Sequence, residues 1–127
     1  MNAVIKEWIT KADGDFRTAQ REFDAIEAPN FDAVCFHAQQ CIEKLMKALL
    51  IAGEESPPRV HDLAVLSNII NRNFPNWNWP VEELRFLSRA AVTFRYPGES
   101  AEQLDAEEAL AIAKNLRDAL LVQLQDK

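Results

Sequence analysis

The chain has 127 residues, of which 48 % are hydrophobic and 27 % are charged, and its formal net charge is −6. These values are typical of one globular domain, here residues 1–127, and they exclude a disordered chain. The negative charge disfavours an extended nucleic-acid surface, although it is compatible with a small basic pocket. No apolar run approaches the roughly 18 residues of a membrane span, and the charged N-terminus is unlike a signal peptide.

A first helix is predicted from Val4 to Ile26, because apolar residues recur there at helical spacing. The predicted buried stripe consists of Ile5, Trp8, Ile9, Ala12, Phe16, Ala19, Phe23 and Ile26. Pro29 follows the stripe, and Asn30 is a suitable N-cap for the next helix.

The second predicted helix, about Phe31 to Ala52, is the most apolar segment of the chain. Phe36 and Ile51 lie opposite its main apolar face, among polar side chains. A helix with apolar residues on two faces is either central in a bundle or part of a dimer interface. Gly53 is a natural C-cap for it.

Three further helices are predicted in the second half of the chain. Asp62 caps a short third helix, and an aromatic connection containing Trp77 and Trp79 follows it. A fourth helix runs from about 81 to 94, before Pro97, and a fifth from about 101 to 125. No alternating β pattern is present, so we predict an all-α up-down bundle of about five helices. The residues predicted to be buried together are Phe16, Phe23, Ala38, Ile42, Leu45, Leu87, Leu116 and Leu120.

Cys35 and Cys41 are the only cysteines. On one helix they stand about 9 Å apart along the axis, which is too far for a disulfide. Their spacing is also unlike that of zinc ligands, so we expect a packing role, no bound metal and a reducing, cytoplasmic location. No motif for another cofactor is present.

His37 and Lys44 lie along one edge of the second helix's apolar stripe. They are either boundary residues whose stems cover apolar surface, or donors to a bound anion. Arg95 comes at the last turn of the predicted fourth helix, where the helix dipole favours a cation. Its helical phase points to the buried side, where it needs a ligand or a carboxylate such as Asp15.

Several motifs in this sequence resemble those of the HEPN family. They are Phe36-His37-Ala38-Gln39-Gln40, Glu43-Lys44, Lys47-Ala48-Leu49-Leu50, His61-Asp62-Leu63 and Arg95-Tyr96-Pro97. The resemblance implies a compact α-helical bundle, usually dimeric and often encoded beside a minimal nucleotidyltransferase in toxin–antitoxin pairs. It also implies nucleotide binding.

One feature of HEPN ribonucleases is missing from the sequence. Those enzymes carry an arginine followed four to six residues later by a histidine, and neither His37 nor His61 has an arginine at that distance upstream. We therefore predict a protein that is not an enzyme.

The first hypothesis is a non-catalytic HEPN-type module that binds a nucleotide-like anion, a minimal nucleotidyltransferase partner, or both. Its predicted ligand-binding residues are His37, Lys44, Arg95 and Tyr96. A homodimer is predicted because Phe36, Ile51, Trp77 and Trp79 offer more apolar surface than one small bundle covers. The alternatives are a diverged HEPN ribonuclease that uses His37 and Arg95, and a purely structural helical interaction protein.

Overall fold

A computed structural model describes residues 2–125, which form five α-helices and no β-strand. The helices are α1 (Ala3–Phe23), α2 (Phe31–Ala52), α3 (Leu63–Ile70), α4 (Val81–Thr93) and α5 (Gln103–Leu124). The predicted all-α fold is confirmed, with α1, α2 and α5 as the longest helices. None of these five helices is long and apolar enough to cross a bilayer.

Short polar side chains begin the first three helices. The Oδ1 atoms of Asn2 and Asn30 accept hydrogen bonds from the backbone N–H groups of Ile5 and Ala33. Asp62 accepts from two N–H groups at the start of α3. Each cap satisfies donors that have no partner within the helix, which is why the predicted starts at Asn30 and Asp62 are correct.

The predicted end of α1 at Ile26 is wrong. The helix stops at Phe23, and Ile26 is 99 % exposed. A tight turn replaces the last predicted helical residues: Ala28 has a φ of 44°, and Glu22 Oε1 accepts from the backbone N–H of Asn30 at 2.7 Å. The apolar pattern in the sequence therefore continues past Phe23, but the buried face of the helix does not.

α2 is the central helix of the bundle, since it packs against each of the other four. Thirteen of its 22 residues are buried, including Leu45 and Leu49. This arrangement explains the apolar residues on its second face, and Ile51 packs against the main core within the same chain.

The predicted core is correct except at two phenylalanines. Six of the eight residues are buried together in the main core: Ala38, Ile42, Leu45, Leu87, Leu116 and Leu120. Phe16 and Phe23 are only half-buried, because they lie at the rim of a smaller cluster around Ala19 and Val34. Phe16 is covered there by the guanidinium of Arg117, at 5.1 Å from its ring centroid.

Candidate functional site

A groove of about 630 Å³ lies between α2, the start of α3 and α4. We call it the α2–α4 groove. Its lining consists of Phe36, Gln39, Gln40, His61, Asp62, Ser88, Arg89, Ala91, Val92, Thr93 and Arg95. A volume of this size is within the range of about 300–1,000 Å³ that is usual for small-molecule sites. The groove therefore has the dimensions and the mixed polar lining of a ligand-binding site.

Arg95 lies at the edge of this groove, two residues after the end of α4. Its side chain is exposed, and its guanidinium lies 5.4 Å from the centroid of the Phe36 ring. The predicted burial of Arg95 is wrong, because the helical phase used to predict it does not extend beyond Thr93. The predicted pairing with Asp15 is also wrong, since Asp15 binds His37 and Lys44 instead.

Arg89 is the second cation of the groove. It lies on α4 and is exposed, as Arg95 is. Within residues 2–125, neither arginine forms an ion pair with a carboxylate. Cation–π contact with Phe36 engages the charge of Arg95 without using its N–H donors. Both guanidinium groups can therefore donate hydrogen bonds to an anion.

Below the groove lies a network of buried polar side chains centred on Glu43. Its Oε1 accepts from Gln39 Nε2 at 3.0 Å, and its Oε2 accepts from Lys47 Nζ at 3.0 Å and His61 Nδ1 at 2.9 Å. Gln39, Glu43 and Lys47 are all buried. Such groups are costly to bury unless they are hydrogen-bonded, and here each has a partner.

The same network shifts the acidity of Glu43. Burial alone would raise the pKa of its carboxyl, but hydrogen bonds from Gln39, His61 and Lys47, with the charge of Lys47, outweigh burial. The pKa is therefore lowered from its ordinary value of 4.5. At neutral pH Glu43 is a carboxylate that accepts hydrogen bonds from both His61 and Lys47.

His37 and Lys44, two of the predicted ligand-binding residues, lie on the seam between α1 and α2. His37 Nδ1 donates to Asp15 Oδ1 at 2.8 Å, and Lys44 Nζ donates to Asp15 Oδ2. Neither residue lines the α2–α4 groove. The structure therefore does not bring them together with Arg95 in one pocket, although the rings of His37 and Phe36 are in edge contact at 5.3 Å. Their ligand-binding role stays a prediction.

The other predicted site and interface residues have different environments. Tyr96 is 61 % exposed beside Arg95, and Phe36 is half-buried in the wall of the groove. Trp77 is half-buried and stacks on Trp79, with ring centroids 4.2 Å apart. Trp79 is buried in the core, and its Nε1–H donates to Asn71 Oδ1. The prediction that Trp79 offers apolar surface to a dimer is therefore wrong, because its own chain covers it.

The two cysteines are both free and buried. Burial, the largest cause, raises the pKa of each thiol to about 12. Thiols with so high a pKa remain protonated at neutral pH, and a protonated thiol is a poor nucleophile and a poor metal ligand. This agrees with the packing role expected from their spacing.

Sequence reasoning missed Gln39 and His61, which line the groove, and Glu43, which accepts hydrogen bonds from both. The spacing of Gln39, Glu43 and Lys47 was an available signal, because residues four apart share one face of a helix. A carboxylate that lies between an amide and a lysine on one helix face indicates that the three side chains are joined by hydrogen bonds. The contribution of His61 depends on where the connection before α3 packs, which no local pattern specifies.

Comparison with known proteins agrees with this architecture. The HEPN domain family model matches residues 5–123. The fold is similar to that of TT1696 from Thermus thermophilus, with a TM-score of 0.69 and 21 % identity over 91 % of this chain and 94 % of that one. It is also similar to ST0689, an archaeal HEPN homologue, with a TM-score of 0.71 and 23 % identity over 95 % and 98 % of the two chains. No curated protein matches the sequence.

Proposed function

The chain belongs to the HEPN domain family, and on that basis we propose that it is a non-catalytic binding module whose α2–α4 groove holds a nucleotide-like anion. The observation that carries this proposal is the pair of arginines on one groove. Arg89 and Arg95 are exposed and without carboxylate partners in the described part of a chain whose net charge is −6. Guanidinium groups match the geometry of phosphate oxygens and bind them through charge-assisted hydrogen bonds.

Several of the other lining residues suit the uncharged part of such a ligand. Phe36 offers an aromatic ring beside Arg95, and aromatic rings and guanidinium planes both stack on nucleobases. Gln40 and Ser88 add side chains able to hydrogen-bond a base edge or a sugar hydroxyl. A ligand with an anionic end and a flat polar end therefore fits this lining better than a purely apolar ligand.

Replacing either groove arginine is expected to weaken binding of a nucleotide-like anion. Each charge-assisted contact is worth about 1.5–3 kcal/mol, so Arg89→Ala or Arg95→Ala should raise the Kd about tenfold or more. Isothermal titration with adenosine monophosphate and a deoxydinucleoside monophosphate measures this effect. Arg72→Ala is the matched control, because Arg72 is exposed and does not line the groove.

The same titration contradicts the proposal if neither ligand binds the unmodified protein. That outcome favours the third hypothesis, a helical protein used only for interaction. Equal losses of affinity in Arg72→Ala and in the two groove variants would indicate non-specific attraction to surface charge. That result would also contradict specific binding in the α2–α4 groove.

RNA cleavage is a second candidate function, favoured by one observation. His61 and two arginines line the same groove, and a histidine with an arginine can supply proton transfer and charge stabilisation to a phosphodiester. His37, which the sequence suggested for this reaction together with Arg95, does not line the groove and is bonded to Asp15.

We nonetheless expect the purified protein not to cleave single-stranded RNA above background with metal chelated. Attack by the 2′-OH requires one proton to leave that hydroxyl and another to reach the departing 5′-oxygen. Among the described residues lining the groove, His61 alone is of a type that ordinarily titrates near neutral pH. One imidazole performs one of these transfers at a time, and each is typically worth about 10²–10⁴-fold. Cleavage that both His61→Gln and Arg95→Ala abolish would establish a ribonuclease instead.

The proposal extends to partners. We infer a cytoplasmic homodimer that pairs with a minimal nucleotidyltransferase in a toxin–antitoxin system, as the family likeness implies. Two exposed apolar side chains support an interface with another protein at this edge of the groove: Val92, which lines it, and the nearby Tyr96. A minimal nucleotidyltransferase encoded by the neighbouring gene would support the pairing, and a neighbour of another kind would count against it.

A further inference from the structure

We propose that His61 is a third anion contact of the α2–α4 groove, oriented by Glu43 and active when its imidazole is protonated, so that ligand affinity rises as the pH falls. This inference rests on the proposed function, because it concerns regulation of the same site. It assigns a binding role to a residue outside the predicted set of His37, Lys44, Arg95 and Tyr96.

The first observation is that His61 is exposed and yet fixed in place. Its side chain is 77 % exposed, a fraction at which most side chains sample several rotamers. Here Glu43 Oε2 holds Nδ1 at 2.9 Å, and Gln39 Nε2 donates to the backbone carbonyl of the same residue at 3.0 Å. Two buried side chains therefore fix both the backbone and the ring of His61 at the groove surface. A ring fixed before binding loses little entropy when a ligand arrives.

The second observation concerns which nitrogen is left for a ligand. Glu43 is ionised at neutral pH because its pKa is lowered, so Nδ1 must be the donor in their hydrogen bond. Nε2 has no hydrogen-bond partner within residues 2–125, and His61 is one of the residues that line the groove. Neutral imidazole presents Nε2 as an acceptor, which repels a phosphate oxygen, whereas protonated imidazole presents a donor with positive charge.

The third observation concerns the types of the other charged residues around His61. α2 contributes Glu43 and Lys47, which pair with each other. Asp62, the next residue, caps α3. Arg89 on α4 and Arg95 after it complete the set. Arginine and lysine are ordinarily protonated, and carboxylates ordinarily ionised, from about pH 5.5 to 8.5, so histidine is the residue type that changes charge there.

The test is a titration at constant ionic strength with the deoxydinucleoside monophosphate as the probe. Its diester keeps one negative charge over this range, whereas a phosphomonoester itself titrates near pH 6. It also has no 2′-OH, so it cannot be cleaved by that route. For the unmodified protein we expect binding about tenfold tighter at about pH 5.5 than at about pH 8.5, the gain of one charge-assisted hydrogen bond.

Two substitutions at His61 separate the charge from the shape of the side chain. His61→Gln, which stays neutral, should bind at both pH values as weakly as the unmodified protein does at high pH. His61→Arg, which stays charged, should bind at both as tightly as the unmodified protein does at low pH. The position is exposed, and circular dichroism at each pH checks that the variants remain folded.

His37→Gln tests the other histidine and should retain the pH dependence, because His37 does not line the groove. Loss of the pH dependence in that variant, or its persistence in His61→Gln, would overturn the inference while leaving the proposed function intact. Binding that is strong but independent of pH would do the same. Absence of binding at both pH values would contradict the proposed function as well.

Discussion

Replacing Leu45 with alanine is expected to lower the free energy of unfolding by about 2–5 kcal/mol. Leu45 is fully buried at the centre of α2, the helix against which all the others pack. Shortening it removes apolar contacts and leaves a cavity that the surrounding helices cannot fill without moving. Chemical denaturation followed by circular dichroism measures the loss.

Leu104→Ala is the matched control for this experiment. Leu104 is the same residue type on α5, but it is 74 % exposed, so its replacement should change stability by less than about 0.5 kcal/mol. A loss below about 1 kcal/mol for Leu45→Ala would mean that the core can close over the missing atoms, contrary to its packing.

A loss of comparable size is expected for Glu43→Leu, although the new side chain is apolar. Removing the carboxylate leaves the ammonium of Lys47 buried without its ion-pair partner, which typically costs about 3–5 kcal/mol. The double variant Glu43→Leu/Lys47→Met removes both charges and should recover much of this loss, because a buried ion pair and an apolar pair of similar volume are often nearly equal in stability.

An exposed ion pair on α4 provides the comparison. Glu82 and Arg85 are joined at 2.8 Å, but solvent surrounds both, so Glu82→Ala should cost less than about 1 kcal/mol. Denaturation of the unmodified protein, Glu43→Leu, the double variant and Glu82→Ala under the same conditions tests the prediction. If the double variant is no more stable than Glu43→Leu, the cost does not come from an unpaired Lys47.

The effect of Glu43→Leu should also depend on pH in a defined direction. The pKa of Glu43 is lower in the folded protein than its ordinary value of 4.5, so the folded state favours the ionised form. The stability that this preference contributes is fully present above the unfolded-state value and is lost as the pH falls through the folded-state value. The stability difference between the unmodified protein and Glu43→Leu should therefore shrink as the solution is acidified below pH 4.5.

Local signals in the sequence were sufficient to predict most of the fold. Helical periodicity and the caps Asn30 and Asp62 specify where helices form, because both act within a few residues along the chain. The errors at Ile26 and Arg95 have a common cause. In both cases a helical pattern was continued past the residue at which the helix ends. Beyond that residue, helical periodicity no longer predicts the direction in which a side chain points.

The groove was only partly predictable for a different physical reason. Arg95 was predicted to bind a ligand and Phe36 to lie in a dimer interface, and the two side chains lie together at the groove. His61 joins them only because the connection before α3 packs onto α2, where Gln39 and Glu43 hold it. Lys47 is also buried. Such contacts join residues that are far apart in sequence. They decide which charged side chains are buried in ion pairs and which stay exposed, and local sequence patterns do not specify them.

The central position of α2 has a consequence for how this protein can diverge. One helix supplies the middle of the core, the buried ion pair and one wall of the groove, so substitutions in α2 affect both stability and the lining of the groove. The opposite wall is carried by exposed side chains at the end of α4 and just after it, Arg89, Thr93 and Arg95. Exposed positions accept substitutions at little thermodynamic cost. The lining of the groove can therefore change most readily through α4, while α2 preserves the scaffold.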